Sequence, residues 1–73
     1  MPPMKFQPQD VLLHVKTQRR YQVLFGPDVC RLEADGAPAY AYRLHAATHA
    51  ADPTIWVRVA SEMEDGRFVR APL

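Results

Sequence analysis

Two stretches of this chain alternate in polarity with a period of two: Ala39-Tyr40-Ala41-Tyr42-Arg43-Leu44-His45 and, one loop later, Thr54-Ile55-Trp56-Val57-Arg58-Val59. Such alternation belongs to a strand with one face buried and the other in water. Together the two runs predict a hairpin with Tyr40, Tyr42, Leu44, Ile55, Val57 and Val59 inward. Arg43, His45, Trp56 and Arg58 then share the solvent side, which makes that side the candidate binding surface.

The chain has 73 residues, enough for one small domain. A chain of this size buries only ~60% of the surface its unfolded form exposes, so its core must be economical. At 48% hydrophobic residues it has the composition of a globular chain rather than a disordered one. A net charge of +1 gives no overall field that would by itself imply nucleic acid or an anionic membrane. Of the nine cations seven are arginine, the side chain suited to bidentate and stacking recognition. Cys30 is the only cysteine, so no internal disulfide can form, and a reducing, cytoplasmic setting is expected. No apolar run approaches the ~20 residues that a membrane-spanning helix requires. The first residues, Met1-Pro2-Pro3-Met4-Lys5-Phe6-Gln7-Pro8, lack the apolar stretch and small-residue cleavage site of a signal peptide.

Three prolines in those first eight residues predict a flexible arm over 1–9, with a single domain over 10–73. Beyond Asp10, the residues Val11 to Lys16 alternate, and Tyr21 to Phe25 alternate again before the turn signal Gly26-Pro27-Asp28. Val29 to Glu33 reads as a third strand. The choice of turn after it is a question of parity. A two-residue Asp35-Gly36 turn would set Arg31 opposite Tyr40, whereas a three-residue Ala34-Asp35-Gly36 turn with Gly36 left-handed sets Cys30 there. Burying Cys30 and Leu32 costs far less than burying an unpaired arginine, so the three-residue turn is expected. Strands over 39–45 and 54–60 follow, then a single 3₁₀ turn over Ser61 to Gly66 and a last short strand over 67–70. Five or six short strands with one helical turn before the last describe a small antiparallel SH3-like barrel, which also removes most sheet edges. The alternative is a small α+β domain with a short helix near 44–51.

Several of these residues also fall in an order that resembles a known family. His14-x-Lys16, Tyr21-x-Val23-Leu24, Ala41-Tyr42-Arg43, Trp56-Val57-Arg58 and Glu62-Met63 are similar to the pattern H-Y-K, Y-x-V-L, V-Y-R-A, W-V-R-P and E-M of small bacterial SH3-like-barrel proteins of unknown function. The resemblance spans about Asp10 to Phe68. It departs in a spacing one residue longer between Lys16 and Tyr21, in the missing tyrosine and glycine near Val15 and Thr17, in Val59 where the family has proline, and in Met63, shifted by one. The resemblance implies a barrel fold and a bacterial cytoplasmic origin, and it transfers no catalytic residue.

On the candidate surface, a loop centred near His49 to Ala51 would put Arg43 across from Arg58 and His45 across from Trp56. Like charges placed opposite each other cost stability unless something screens them, such as the indole, a nearby carboxylate or an anionic partner. Tryptophan flanked by arginine suits both protein hot spots and single-stranded nucleic acid. The competing reading packs Trp56 under the N-terminal arm and leaves the arginines merely solvated. His45 and His49 have the spacing of two metal ligands on one helix face, but the candidates for a third, His14, Cys30 and Asp52, lie on separate elements, so no metal is expected. Cys30 alternates with Leu32 and reads as core rather than nucleophile. Tyr21, Phe25, Tyr40 and Tyr42 read as core rather than as an aromatic cage, and Glu62, Glu64 and Asp65 as a solvated turn. The expectation is a non-catalytic binding module without a cofactor. Its surface of Trp56, Arg58, Arg43 and His45 would serve a protein partner, or alternatively RNA or single-stranded DNA, and no membrane.

Overall fold

The computed structural model describes residues 4–45 and 52–72. Five strands, β1 (Val11–His14), β2 (Arg19–Phe25), β3 (Ala39–Leu44), β4 (Ile55–Val59) and β5 (Phe68–Arg70), form one antiparallel sheet. A helical turn, α1 (Ala60–Met63), precedes β5. The strand order is β4-β3-β2-β1-β5, so four strands run as a meander and the fifth returns beside the first. This is the expected small antiparallel all-β fold, barrel-like, with one helical turn before the last strand.

The expected inward set holds in β3, where Tyr40, Tyr42 and Leu44 are buried and Arg43 is exposed, but Ala39 and Ala41 on the other face are buried as well. The core gathers Leu12, Val23, Tyr40, Tyr42, Ala60, Met63 and Phe68 around Phe6, with Tyr21 packed against it. Rings meet edge to face within it, Tyr42 and Phe68 at 5.6 Å and Tyr21 and Tyr42 at 5.3 Å between centroids. That geometry suits the aromatic quadrupole, and it fills a core poor in aliphatic side chains.

The chain departs from the sequence expectation in several places. Residues 4–9 are not a frayed arm at Phe6, which is fully buried with its N–H donating to Tyr40 Oη at 3.2 Å. Tyr40 Oη in turn donates to the Glu64 carboxylate. Arg70 Nη2 donates to the Lys5 carbonyl at 2.7 Å, and Arg70 Nε donates to Asp10 Oδ2 at 3.2 Å, so the segment is pinned from several sides.

The strand expected over 29–33 is reduced to one bridge, Arg31 with Pro38. Its turn is wider by one residue than parity predicted. Leu32 N–H donates to the Ala37 carbonyl at 2.9 Å, and Ala39 N–H donates to the Cys30 carbonyl at 2.9 Å. Cys30 therefore faces Ala39 rather than Tyr40. Gly36 keeps the expected left-handed conformation, with φ of +71°. The helical turn is α rather than 3₁₀ and starts at Ala60, with Val59 at the N-cap and no side-chain cap from Ser61.

The largest correction concerns β4. Its partners are Ala39 with Val59, Tyr40 with Arg58, Ala41 with Val57, Tyr42 with Trp56 and Arg43 with Ile55. Trp56 and Arg58 therefore share the face of the two buried tyrosines, while Ile55 and Val57, expected in the core, point the other way and are 60% and 51% exposed. Long amphipathic side chains can cover an aromatic core with their stems and keep a polar end in water. Ile and Val suit a pleated strand even where its face is open, so their alternation alone does not fix which side is buried. A bulge between Val23 and Phe25 sends Phe25 to the same outer face, opposite Ala41.

Candidate functional site

The β4 register divides the four residues expected to act together. Arg43 is exposed on the outer face beside Ile55, whereas Trp56 and Arg58 lie on the opposite face. His45 is half-buried just past the end of β3, and its N–H donates to the Arg20 carbonyl at 3.0 Å. Arg43 does not oppose Arg58, so the like-charge pair inferred from the loop centre is absent. His49, the partner in the histidine spacing, and the helix proposed near 44–51 fall largely in 46–51, outside the described residues; residue 44 itself ends β3.

What Arg58 joins instead is a cleft at one end of the barrel. Pairing of β5 with β1 sets His14 opposite Phe68, with ring centroids 4.8 Å apart. Val15 N–H donates to the Arg67 carbonyl at 3.0 Å, which ties the turn after β1 to the residue before β5. Arg58 reaches across from β4 and lays its guanidinium 5.7 Å from the centre of the Phe68 ring. His14, Val15, Lys16, Arg58, Gly66 and Arg67 thereby enclose an open cleft of about 620 Å³. The His14 ring and three cations, Lys16, Arg58 and Arg67, are among its lining.

Two carboxylates temper that charge. Glu62 Oε1 lies 2.8 Å from Arg67 Nη1 and 3.5 Å from Arg58 Nη1, and Asp65 Oδ2 lies 3.3 Å from Arg67 Nε. All these groups remain partly exposed, so the pairs orient the guanidiniums more than they stabilise the fold. Lys16 forms no ion pair among the described residues. His14 Nδ1 shares a hydrogen bond of 2.8 Å with Thr17 Oγ1, which fixes the ring. Partial burial lowers the His14 pKa below its usual 6.5, and the nearby Arg58, Lys16 and Arg67 push it the same way.

Trp56 stands two residues from Arg58 on the same face of β4 and is 49% exposed. Sequence reasoning found Trp56 and Arg58 but missed His14, Lys16 and Arg67 as their company. The H-x-K spacing was visible, yet only the return of β5 to β1 brings it beside Arg58. Tyr40, Tyr42 and Tyr21 are core or core-packed, while Phe25 is not. Cys30 is half-buried. Among the described residues no group of three or more His, Cys, Asp or Glu could hold a metal ion, and no helix is long and apolar enough to cross a membrane.

No protein-family model matches the chain, and the searches of curated proteins and of solved structures gave no match either.

Proposed function

We propose that this protein is a non-catalytic, cytoplasmic binding module that holds an acidic segment of a protein partner in the cleft of Lys16, Arg58 and Arg67. The observation that carries this reading is the convergence of three cations from β4 and two separate turns on one open cleft, with the Arg58 guanidinium held beside the Phe68 ring. Glu62 supports the choice of a carboxylate ligand, since one carboxylate oxygen already lies within reach of both guanidiniums. An incoming Asp or Glu can occupy the same donors, with Trp56 offering apolar contact along the same strand face. Glu62 and Asp65 offset much of the local charge, which suits a short acidic peptide better than a polyanion that needs an extended basic track. The SH3-like bacterial family that the sequence resembles belongs to the same reading.

The test is a fluorescence titration with a labelled peptide of alternating Asp and Glu, beside a single-stranded oligothymidine of similar charge. The peptide should bind, and Lys16→Ala or Arg58→Ala should each weaken it about tenfold, or ~1.4 kcal/mol. Arg43→Ala, on the opposite face, should change nothing. Tighter binding of the oligonucleotide, with a steep loss as salt rises, would assign the cleft to nucleic acid instead. If neither probe binds, the reading fails.

A further inference from the structure

Among the described residues β4 pairs only with β3, so its other edge is free. Which groups face that edge follows from one hydrogen bond. Ala60 N–H donates to the Pro38 carbonyl, toward β3, and the direction of main-chain groups alternates along a strand. Trp56 and Arg58 therefore turn their main-chain groups to β3, and Ile55, Val57 and Val59 turn theirs outward. A free edge of five residues is a template for another strand, and sheet proteins normally guard one with proline, lysine or a bulge. The segment Ile55-Trp56-Val57-Arg58-Val59 contains no proline or lysine, and its pairing with β3 has no bulge.

We propose that this edge is where two copies of the chain pair, β4 against β4, antiparallel about a two-fold axis at Val57. The strand is self-complementary in that register. Val57 meets Val57 of the second copy, Ile55 meets Val59, and Trp56 meets Arg58 on the face that carries the cleft. The guanidinium of Arg58, whose side chain is 34% exposed, then has the indole of the second copy within reach for a cation–π contact. The same contact forms twice by symmetry. Other registers are worse. An axis at Arg58 would set the two guanidiniums opposite each other, which costs stability. An axis at Trp56 would pair Val59 with Pro53, which has no N–H to give. On the outer face the row Phe25, Ala41, Val57 continues unbroken into Val57, Ala41 and Phe25 of the second copy. Each cleft gains a tryptophan from the other chain, so the dimer would complete the binding surface without itself depending on the ligand assigned above.

Sedimentation equilibrium of the free chain separates the two ideas, because it needs no peptide. The wild type should sediment at twice 8.3 kDa, and Val57→Lys, at an exposed position, should sediment as a monomer with an unchanged circular dichroism spectrum. Trp56→Ala should raise the dissociation constant of the dimer about tenfold. The register has its own test in a Cys30→Ser background under oxidised glutathione. Val57→Cys should link two chains, since hydrogen-bonded partners sit ~5.5 Å apart between Cα atoms, within disulfide range. Ile55→Cys should not, since two such sites would lie ~14 Å apart along the strands. A wild type that stays monomeric to ~1 mM (an affinity weaker than ~4 kcal/mol), or equal linking at the two positions, overturns the proposal.

Discussion

Removing a single oxygen from the core should expose how the N-terminal segment is held. Tyr40→Phe keeps the ring, and therefore the packing against Phe6 at 5.9 Å between centroids, so no large cavity forms. What is lost is the hydroxyl that accepts from Phe6 N–H and donates to Glu64. A hydrogen bond to a charged group contributes ~1.5–3 kcal/mol, and a buried amide left without a partner costs ~1–3 kcal/mol. Lys5 N–H still donates to Glu64 Oε2 at 3.3 Å, which softens the first of these. The expected net cost is ~2–4 kcal/mol. A domain of this size holds roughly 4–11 kcal/mol at ~0.05–0.15 per residue, so the variant should stay folded but marginal. Thermal unfolding followed by circular dichroism should show a Tm lower by ~10–25 °C. Alkaline titration gives a second signature. Burial, then the bond to Glu64, pushes the Tyr40 pKa up to about 12 from its usual 10.0. A raised folded pKa means a contribution that is complete below the unfolded value and is lost as pH rises toward the folded one. Wild-type stability should therefore fall between about pH 10 and 12 by an increment that Tyr40→Phe lacks. A variant within ~0.5 kcal/mol of wild type, with the same alkaline profile, would refute the clamp.

Phe6→Ala should cost ~3–5 kcal/mol in urea unfolding, the usual loss for a buried aromatic, although a simple reading of its proline-rich setting would predict almost none. For His14 the sign runs the other way from Tyr40: its folded pKa is depressed, so its contribution is present above about 6.5 and is lost as pH falls through the folded value. NMR titration of its ring protons should give a pKa below that of the free imidazole, and saturating acidic peptide should raise it. Gly36→Val should destabilise by ~1–2 kcal/mol through backbone strain alone, because nothing lies within 4 Å of where a Cβ would stand, and Gly36→Asn should cost less.

The strands legible in the sequence were those whose alternation mixes large aromatics with charge. Tyr40, Tyr42 and Leu44 against Arg43 left one parity for β3, and the return of a short strand after a helical turn was equally plain. In β4 both parities were chemically tenable, because Trp56 and Arg58 can cover a core from its rim as well as Ile55 and Val57 can fill it. Pairing with β3 settles the matter, and pairing is a long-range property. Phe25 was misread for a local reason, since one bulge residue reverses every side chain beyond it. Phe6 was hidden by its prolines, which argue against regular structure but not against burial. As for the cleft, its components lie in three separate stretches, and only the completed sheet makes them neighbours.

The anchoring of Phe6 also orders events in time. Its immediate partners are Tyr40, thirty-four positions away, and through Lys5 the residues Glu64 and Arg70, fifty-nine and sixty-five positions away. The β2-β3-β4 meander closes with much shorter loops and loses less chain entropy in doing so. During synthesis this segment must therefore wait until Glu64 and Arg70, some sixty residues further on, have been released before it finds its native contacts. Interactions formed after the folding barrier restrain unfolding rather than speed folding. Phe6 and its clamp thus act as a latch on the finished molecule, setting how long it survives between openings while leaving the rate at which it first folds to the meander.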